Sequence, residues 1–268
     1  MLSLMLALAV FSWTDHKDGR VELMEKGKSV LTYNYGPQLK NNAPEDRRTC
    51  CYIYPALTPA GVSPLDDFAK DHYHHHGLFW AWPVVSTPEG KYDLWMYKGI
   101  QHRGEKFTTK DATLTAENGW YAGDTKLVKE TVHLTAFPTK GNTREFEVEL
   151  TLEALGAPIT IEGSPDKGKS YGGFSARFAP RTETAINADT GPITKDEDLV
   201  PHKWAEMRAL YDGKPATLRI TPESATQWCL RNYGFVGSSW PGRDAATQSF
   251  TIQPGKPLKL KYRVSLSD

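Results

Sequence analysis

Arg144-Glu145-Phe146-Glu147-Val148-Glu149-Leu150-Thr151-Leu152-Glu153-Ala154-Leu155 alternates apolar and polar side chains along its whole length. Phe146, Val148, Leu150 and Leu152 fall on one face, with Glu145, Glu147, Glu149 and Glu153 on the other. This is the period-two pattern of a strand with one face in a core and one in water. The C-terminal stretch repeats it: Leu258, Leu260, Tyr262, Val264 and Leu266 face in, and Lys259, Lys261, Arg263 and Ser265 face out. Shorter strands are expected at 20–24, 29–35, 78–85, 111–117, 126–136, 174–178, 217–221, 234–240 and 249–252, punctuated by Gly, Pro, Asn and Asp clusters. Residues 204–211 alone have helical character, and eight residues are too few to seed a helical layer, so a strand is equally open there. The expected fold is all-β, a large antiparallel two-sheet β-sandwich, with residues 10–268 as one domain. The irregular stretches 36–49 and 186–200 are expected to be rims of a cleft, because long loops in compact domains tend to carry function.

The 268 residues carry 32 basic and 32 acidic side chains and no Lys/Arg run longer than Arg47-Arg48. Nucleic acid is therefore not the expected partner, since sequence-independent binding rests on a basic surface. No apolar run approaches the roughly 18 residues that cross a bilayer. Residues 1–9 are apolar and end in Ala7-Leu8-Ala9, resembling the end of a secretory h-region with its cleavage site but lacking a basic start. Export to the periplasm or outside the cell is the expectation. Cys50, Cys51 and Cys229 are too few for a disulfide framework and lack CxxC spacing, so they read as buried packing residues.

Four of the eight histidines lie within Asp71-His72-Tyr73-His74-His75-His76-Gly77, directly before the aromatic run Leu78-Phe79-Trp80-Ala81-Trp82. Crowded imidazoles repel one another when protonated, so such a cluster tends toward neutral rings, which suits bases and metal ligands. In an extended chain His72, His74 and His76 would project to one side and His75 to the other, with Asp71 placed to orient one ring. A polar turn with satisfied histidines is the plain alternative. A metal site would draw on His72, His74 and His75, completed by His102 or Glu130. Glu130 shares its strand face with Val128, Val132, Leu134 and Ala136. A carboxylate there must be paired or lose its charge, so a buried ion pair with an arginine and a role as base or ligand are both open.

From Tyr54-Pro55 onward the chain resembles a widespread bacterial family of uncharacterised, mostly exported proteins that goes under the label PmoA. The residues that carry the resemblance are the Asp71–Trp82 block, Pro55 to Gly61, Asp93-Leu94-Trp95 with His102, Glu130, Tyr171 to Arg177, and Trp228 through Arg231-Asn232-Tyr233-Gly234 to Gly242. Tyr73 and His76 stand where the family usually has proline and arginine, so Asp71, His72, His74 and His75 carry over and His76 does not. A methane monooxygenase subunit, which the label suggests, is excluded by the lack of apolar spans. At the level of fold, the strand count and the His-Gly motif before an aromatic strand resemble the galactose mutarotase supersandwich, whose faces bind sugars.

These readings imply a carbohydrate-active protein whose catalytic candidates are Asp71, His72, His74, His75 and Glu130, with His74 or His75 moving protons under the orientation of Asp71. Trp95, His102, Arg177, Arg231, Tyr233 and Trp240 are the candidate substrate contacts, aromatic faces stacking on sugar and guanidinium groups holding hydroxyls or a carboxylate. Epimerisation, β-elimination and hydrolysis fit this set, with no cofactor required. A metal-dependent hydrolase or lyase using a divalent ion, and a non-catalytic glycan-binding protein, are the other two readings.

Overall fold

The computed structural model describes residues 10–166, 168–169, 171–224, 226–242 and 249–268. The expected signal remnant at 1–9 lies outside the described residues. Among the described residues, twenty-two strands form three antiparallel sheets. In the first sheet the order is β1 (Phe11–Asp15), β2 (Arg20–Glu25), β3 (Lys28–Asn34), β4 (Tyr52–Ala56), β5 (Leu78–Ala81), β13 (Gly173–Arg177), β20 (Phe235–Ser239), β19 (Thr226–Arg231) and β16 (Glu197–His202). The second runs β15 (Gly191–Ile193), β14 (Thr182–Ala188), β17 (Ala205–Tyr211), β18 (Lys214–Pro222), β22 (Leu258–Ser267), β11 (Thr143–Ala154), β10 (Thr125–Lys140), β9 (Thr113–Ala122) and β8 (Gln101–Lys110). A small third sheet joins β21 (Ser249–Ile252), β12 (Ile159–Glu162), β6 (Val84–Thr87) and β7 (Gly90–Tyr92).

The two alternating segments that suggested the fold are neighbours at the centre of the second sheet, with Phe146 opposite Val264 and Leu150 opposite Leu260. Their apolar faces look toward the first sheet. Phe174 of β13 stacks on Tyr262 of β22 at 4.4 Å, and Asn118 of β9 donates to the Tyr33 hydroxyl of β3 at 2.8 Å. One continuous apolar core fills the space between the large sheets. Each fully buried Leu, Val or Phe in it contributes about 1.5–3 kcal/mol relative to exposure. The architecture is a β-sandwich.

Two expectations change in the structure and one open alternative is decided. The stretch 78–85 is not one strand: Pro83 cannot donate to a ladder, so β5 ends at Ala81 and the chain moves from the first sheet to β6 of the third. Residues 186–200 are not an irregular rim, because they hold the end of β14, all of β15 and the start of β16. Residues 204–211 resolve as strand β17, paired on both edges, with Ala205, Met207, Ala209 and Tyr211 inward. The 36–49 stretch is irregular apart from one short turn at Glu45–Arg47 and a bridge that pairs Gln38 with Thr49, and its Lys40 and Asn41 reach across to Asp67 and Phe68.

Candidate functional site

The middle of the first sheet is buried on both faces, as the unbroken burial of β5, β13 and β20 records. Trp80 and Phe174 point toward the second sheet, where Trp80 donates to Glu130. Their alternating neighbours Phe79, Ser175 and Arg177 therefore face the opposite side. There they meet the segment that carries the histidines.

That segment is not extended. It curls through two turns, His72 N–H donating to Ala69 and His75 N–H to His72, both at 2.8 Å. The curl gathers His72, His74 and His75 on one side and sends His76 the other way, which corrects the alternating projection expected from the sequence. His76 lies 3.0 Å from an oxygen of Asp67 and 2.8 Å from the Tyr97 hydroxyl, and Lys40 and Tyr52 also bind Asp67. Burial opposes the charge of Asp67, yet His76 and Lys40 together hold its carboxyl below the ordinary value. Gly77 follows because nothing larger fits: a Cβ there would lie 2.3 Å from the carbonyl oxygen of Ile53. The motif is thus half anchor and half site.

On the site side, Tyr233, His72 and His75 form a parallel stack. The His72 ring lies 5.4 Å from Tyr233 and 4.7 Å from His75, with planes within 6° and 4°. His74 packs edge-on to His75 at 4.5 Å, and Trp95 closes the group at 5.6 Å from His75 and 5.0 Å from Tyr171. These residues, with Met96, Cys229, Arg231 and Phe235, enclose a hollow of about 290 Å³. Burial first, then the neighbouring rings, pushes His74 down to about 3 and His75 well below its ordinary value, so both are neutral acceptors or donors at pH 7.

Asp71 sits behind the stack. Both of its oxygens accept from Arg177 Nη2, at 2.6 and 2.8 Å, while Oδ2 lies 3.0 Å from His72 Nδ1. The ring nitrogen is off the line of a hydrogen bond, so this last contact is chiefly electrostatic. Partial burial works against the charge of Asp71, but Arg177 and then His72 keep its carboxyl low. The imidazole paired with Asp71 is therefore His72, not His74 or His75. Arg177 also lies over the Tyr233 ring at 5.0 Å, and beyond Tyr233 opens a second hollow of about 520 Å³.

Of the residues singled out from the sequence, the structure brings together Asp71, His72, His74, His75, Trp95, Arg177, Arg231 and Tyr233 around these adjoining hollows. Arg231 is tied to Asp198 by two contacts of 2.6 Å and presents only part of its guanidinium. Glu130, His102 and Trp240 are elsewhere. Glu130 is fully buried between the large sheets, accepting from Trp80 and Trp120 at 2.9 Å and from Asn118 at 2.8 Å. Burial alone would raise its carboxyl, and His102 at 3.5 Å with the donors from Asn118 and Trp120 holds it down instead. Among the described residues no arginine pairs with it, and His102 stands in that place. His102 opens onto a separate hollow beside Cys50, and Trp240 packs on Phe250.

Among the described residues no three His, Cys, Asp or Glu side chains are grouped so as to hold a metal ion. The face-to-face stacking of His72 on His75 keeps their ring nitrogens from converging on one point. Cys50, Cys51 and Cys229 are free and buried, as expected. Sequence reasoning missed Tyr171, Met96, Lys70 and Arg181 as lining residues. Gly172 and Gly173, both at positive φ, were the one signal near Tyr171; a Cβ on Gly173 would come within 2.6 Å of the Ser238 carbonyl. Lys70 and Arg181 stand in ordinary loop sequence, and nothing marks them.

Residues 20–268 match the model of a family of unknown function, DUF6807. The chain belongs to that family. Its description carries no activity, and neither the PmoA label nor the mutarotase comparison gains support from it. No curated protein matches the chain. A solved 4-alpha-glucanotransferase from Thermococcus litoralis aligns at 11% identity and a TM-score of 0.31, over 100% of this chain and 38% of that one. A similarity that weak carries no argument about DUF6807 activity, and the chain spans well under half of that enzyme.

Proposed function

We propose that the protein is a carbohydrate-active enzyme in which His72, oriented by Asp71 and Arg177, moves a proton to or from a sugar held against Trp95 and Tyr233. One observation carries the reading: a solvent-reachable imidazole with a carboxylate behind it opens onto an aromatic-walled hollow large enough for a sugar ring. Aromatic faces stack on the C–H face of a sugar while its hydroxyls keep polar partners. His74 and His75, held neutral, supply those partners without placing a charge in the hollow.

In this mechanism Nδ1 of His72 faces Asp71 and leaves Nε2 free for substrate. Nε2 takes a proton from a ring hydroxyl, or from the carbon beside a carbonyl, and the imidazolium so formed is stabilised by Asp71. Arg177 holds Asp71 in its ionised form and in position. The test is turnover of a panel of mono- and oligosaccharides followed by NMR and mass spectrometry, comparing the wild-type protein with His72→Asn. A product that the wild type forms and the variant loses by about a hundredfold or more is expected from loss of a general base. Equal product from both proteins would remove His72 from the chemistry. Binding without turnover by the wild type would leave a glycan-binding protein.

A further inference from the structure

The hollow beyond Tyr233 differs from the histidine side, whose cations Lys169 and Arg231 are each paired with an aspartate. It is lined by Lys70, Arg177, Arg181, Asn41 and the carboxylates Asp66 and Asp71. Asp71 is committed to Arg177 and His72. Asp66 turns one oxygen back to the Asp67 amide at 2.8 Å. The cations are less fully used. Arg181 donates only to the backbone carbonyls of Ala179 and Asn232, at 3.0 and 2.7 Å, and among the described residues it has no ion pair. Its Nε is out of contact with solvent and has no acceptor, so an anion in the hollow would meet the second N–H of Nη1 or Nη2. Arg177, 6% exposed, also has Nε and Nη1 without acceptors and out of solvent contact, so it acts on the hollow through its charge. Lys70 is exposed at the rim, and no carboxylate among the described residues pairs with it.

A half-buried guanidinium that meets only neutral carbonyls, next to a second guanidinium, is costly unless an anion arrives. Its planar donors suit a carboxylate. The fold takes trouble to place it: Gly234 leaves the space Arg181 occupies, since a Cβ there would lie 2.5 Å from Arg181 Nη1. Tyr233 lines both hollows, so a molecule that crosses it touches the imidazoles with one part and the cations with another.

We infer that the substrate is an acidic sugar, a uronate or a glycan bearing one, whose carboxylate sits between Arg181, Arg177 and Lys70 while its ring lies against Tyr233 on the His72 side. This deepens the reading of the site as carbohydrate-active and rests on it. A neutral sugar would leave the guanidinium of Arg181 unpaired in the bound state, whereas a uronate satisfies it.

Calorimetric titration with D-galacturonate and D-glucuronate, beside D-galactose and D-glucose, tests the inference. The wild type is expected to bind one of the acids at least about tenfold more tightly than its neutral counterpart, the usual size of a hydrogen bond to a charged group. Arg181→Gln should erase that preference and leave neutral-sugar affinity as it was. Lys70→Glu changes an exposed side chain and so should fold normally; it should weaken the acid alone. Equal affinity for acid and neutral sugar, or a preference that survives both substitutions, overturns the acidic-substrate inference while leaving the carbohydrate reading standing. Binding of neither class overturns both.

Discussion

The imidazole of His72 lies flat against the phenol ring of Tyr233, 5.4 Å between centres and within 6° of parallel, on a tyrosine that is 45% exposed. A half-exposed aromatic contributes little to the core. Tyr233→Ala is therefore expected to cost less than about 1 kcal/mol in denaturant unfolding yet to weaken sugar binding by about tenfold. Tyr233→Phe, which keeps the stack, should retain most of the affinity. A large loss of stability with unchanged binding would mean the ring belongs to the core.

Asp71 joins a half-buried histidine to an almost fully buried arginine. Asp71→Asn removes the charge but nearly preserves the shape, leaving Arg177 without its counter-ion. The expected outcome is a stability loss of about 1–3 kcal/mol together with a fall in turnover at saturating sugar. Asp71→Glu should recover part of both. A stable Asp71→Asn variant with full turnover would detach this carboxylate from the site.

Acid should destabilise the protein from an unusually high pH. His74 is held down to about 3 against an ordinary 6.5, and His75 is lowered as well. Below pH 6.5 the unfolded chain therefore binds protons that the folded chain refuses, so stability falls as pH drops from 6.5 toward 3. The slope from one such histidine is at most about 1.4 kcal/mol per pH unit. Urea midpoints measured between pH 7 and 4 should show it, and His74→Gln should flatten it. An unchanged slope in that variant would mean that His74 takes up its proton in the folded protein.

Glu130 ties the two large sheets through indole and amide donors. Glu130→Leu strands those donors in the core and is expected to cost about 3 kcal/mol or more by denaturant unfolding. Glu130→Gln, which still accepts through its carbonyl, should cost less. Neither should alter sugar affinity where the protein remains folded. Weakened binding at full stability would bring Glu130 back to the site.

The strands were most legible where a long alternation set an apolar face against a charged one, whereas 101–110 and 159–162, which also have a face in water, gave too weak a pattern to be read. The alternation at 144–155 and in the last ten residues marked the centre of the second sheet because their outer faces are charged. In the first sheet the central strands are buried on both sides, so alternation vanishes and 78–85 read as one strand across Pro83. The histidine block stood out by density alone. Which rings point to the hollow was hidden, because hydrogen bonds from His72 and His75 back along the chain make a curl where period-two reasoning assumed extension. Glu130 was correctly placed on the core face of its strand, but its partners come from strands distant in sequence. Arg181 left no trace in the sequence, since a guanidinium that meets carbonyls and no carboxylate is seen only in three dimensions.

The most direct test is a crystal structure of the protein with a bound sugar. The sugar ring is expected stacked against Tyr233 or Trp95, with one of its hydroxyls or its reacting carbon within about 3–3.5 Å of His72 Nε2. A sugar seated on another part of the surface, with the His72 hollow untouched, would contradict it.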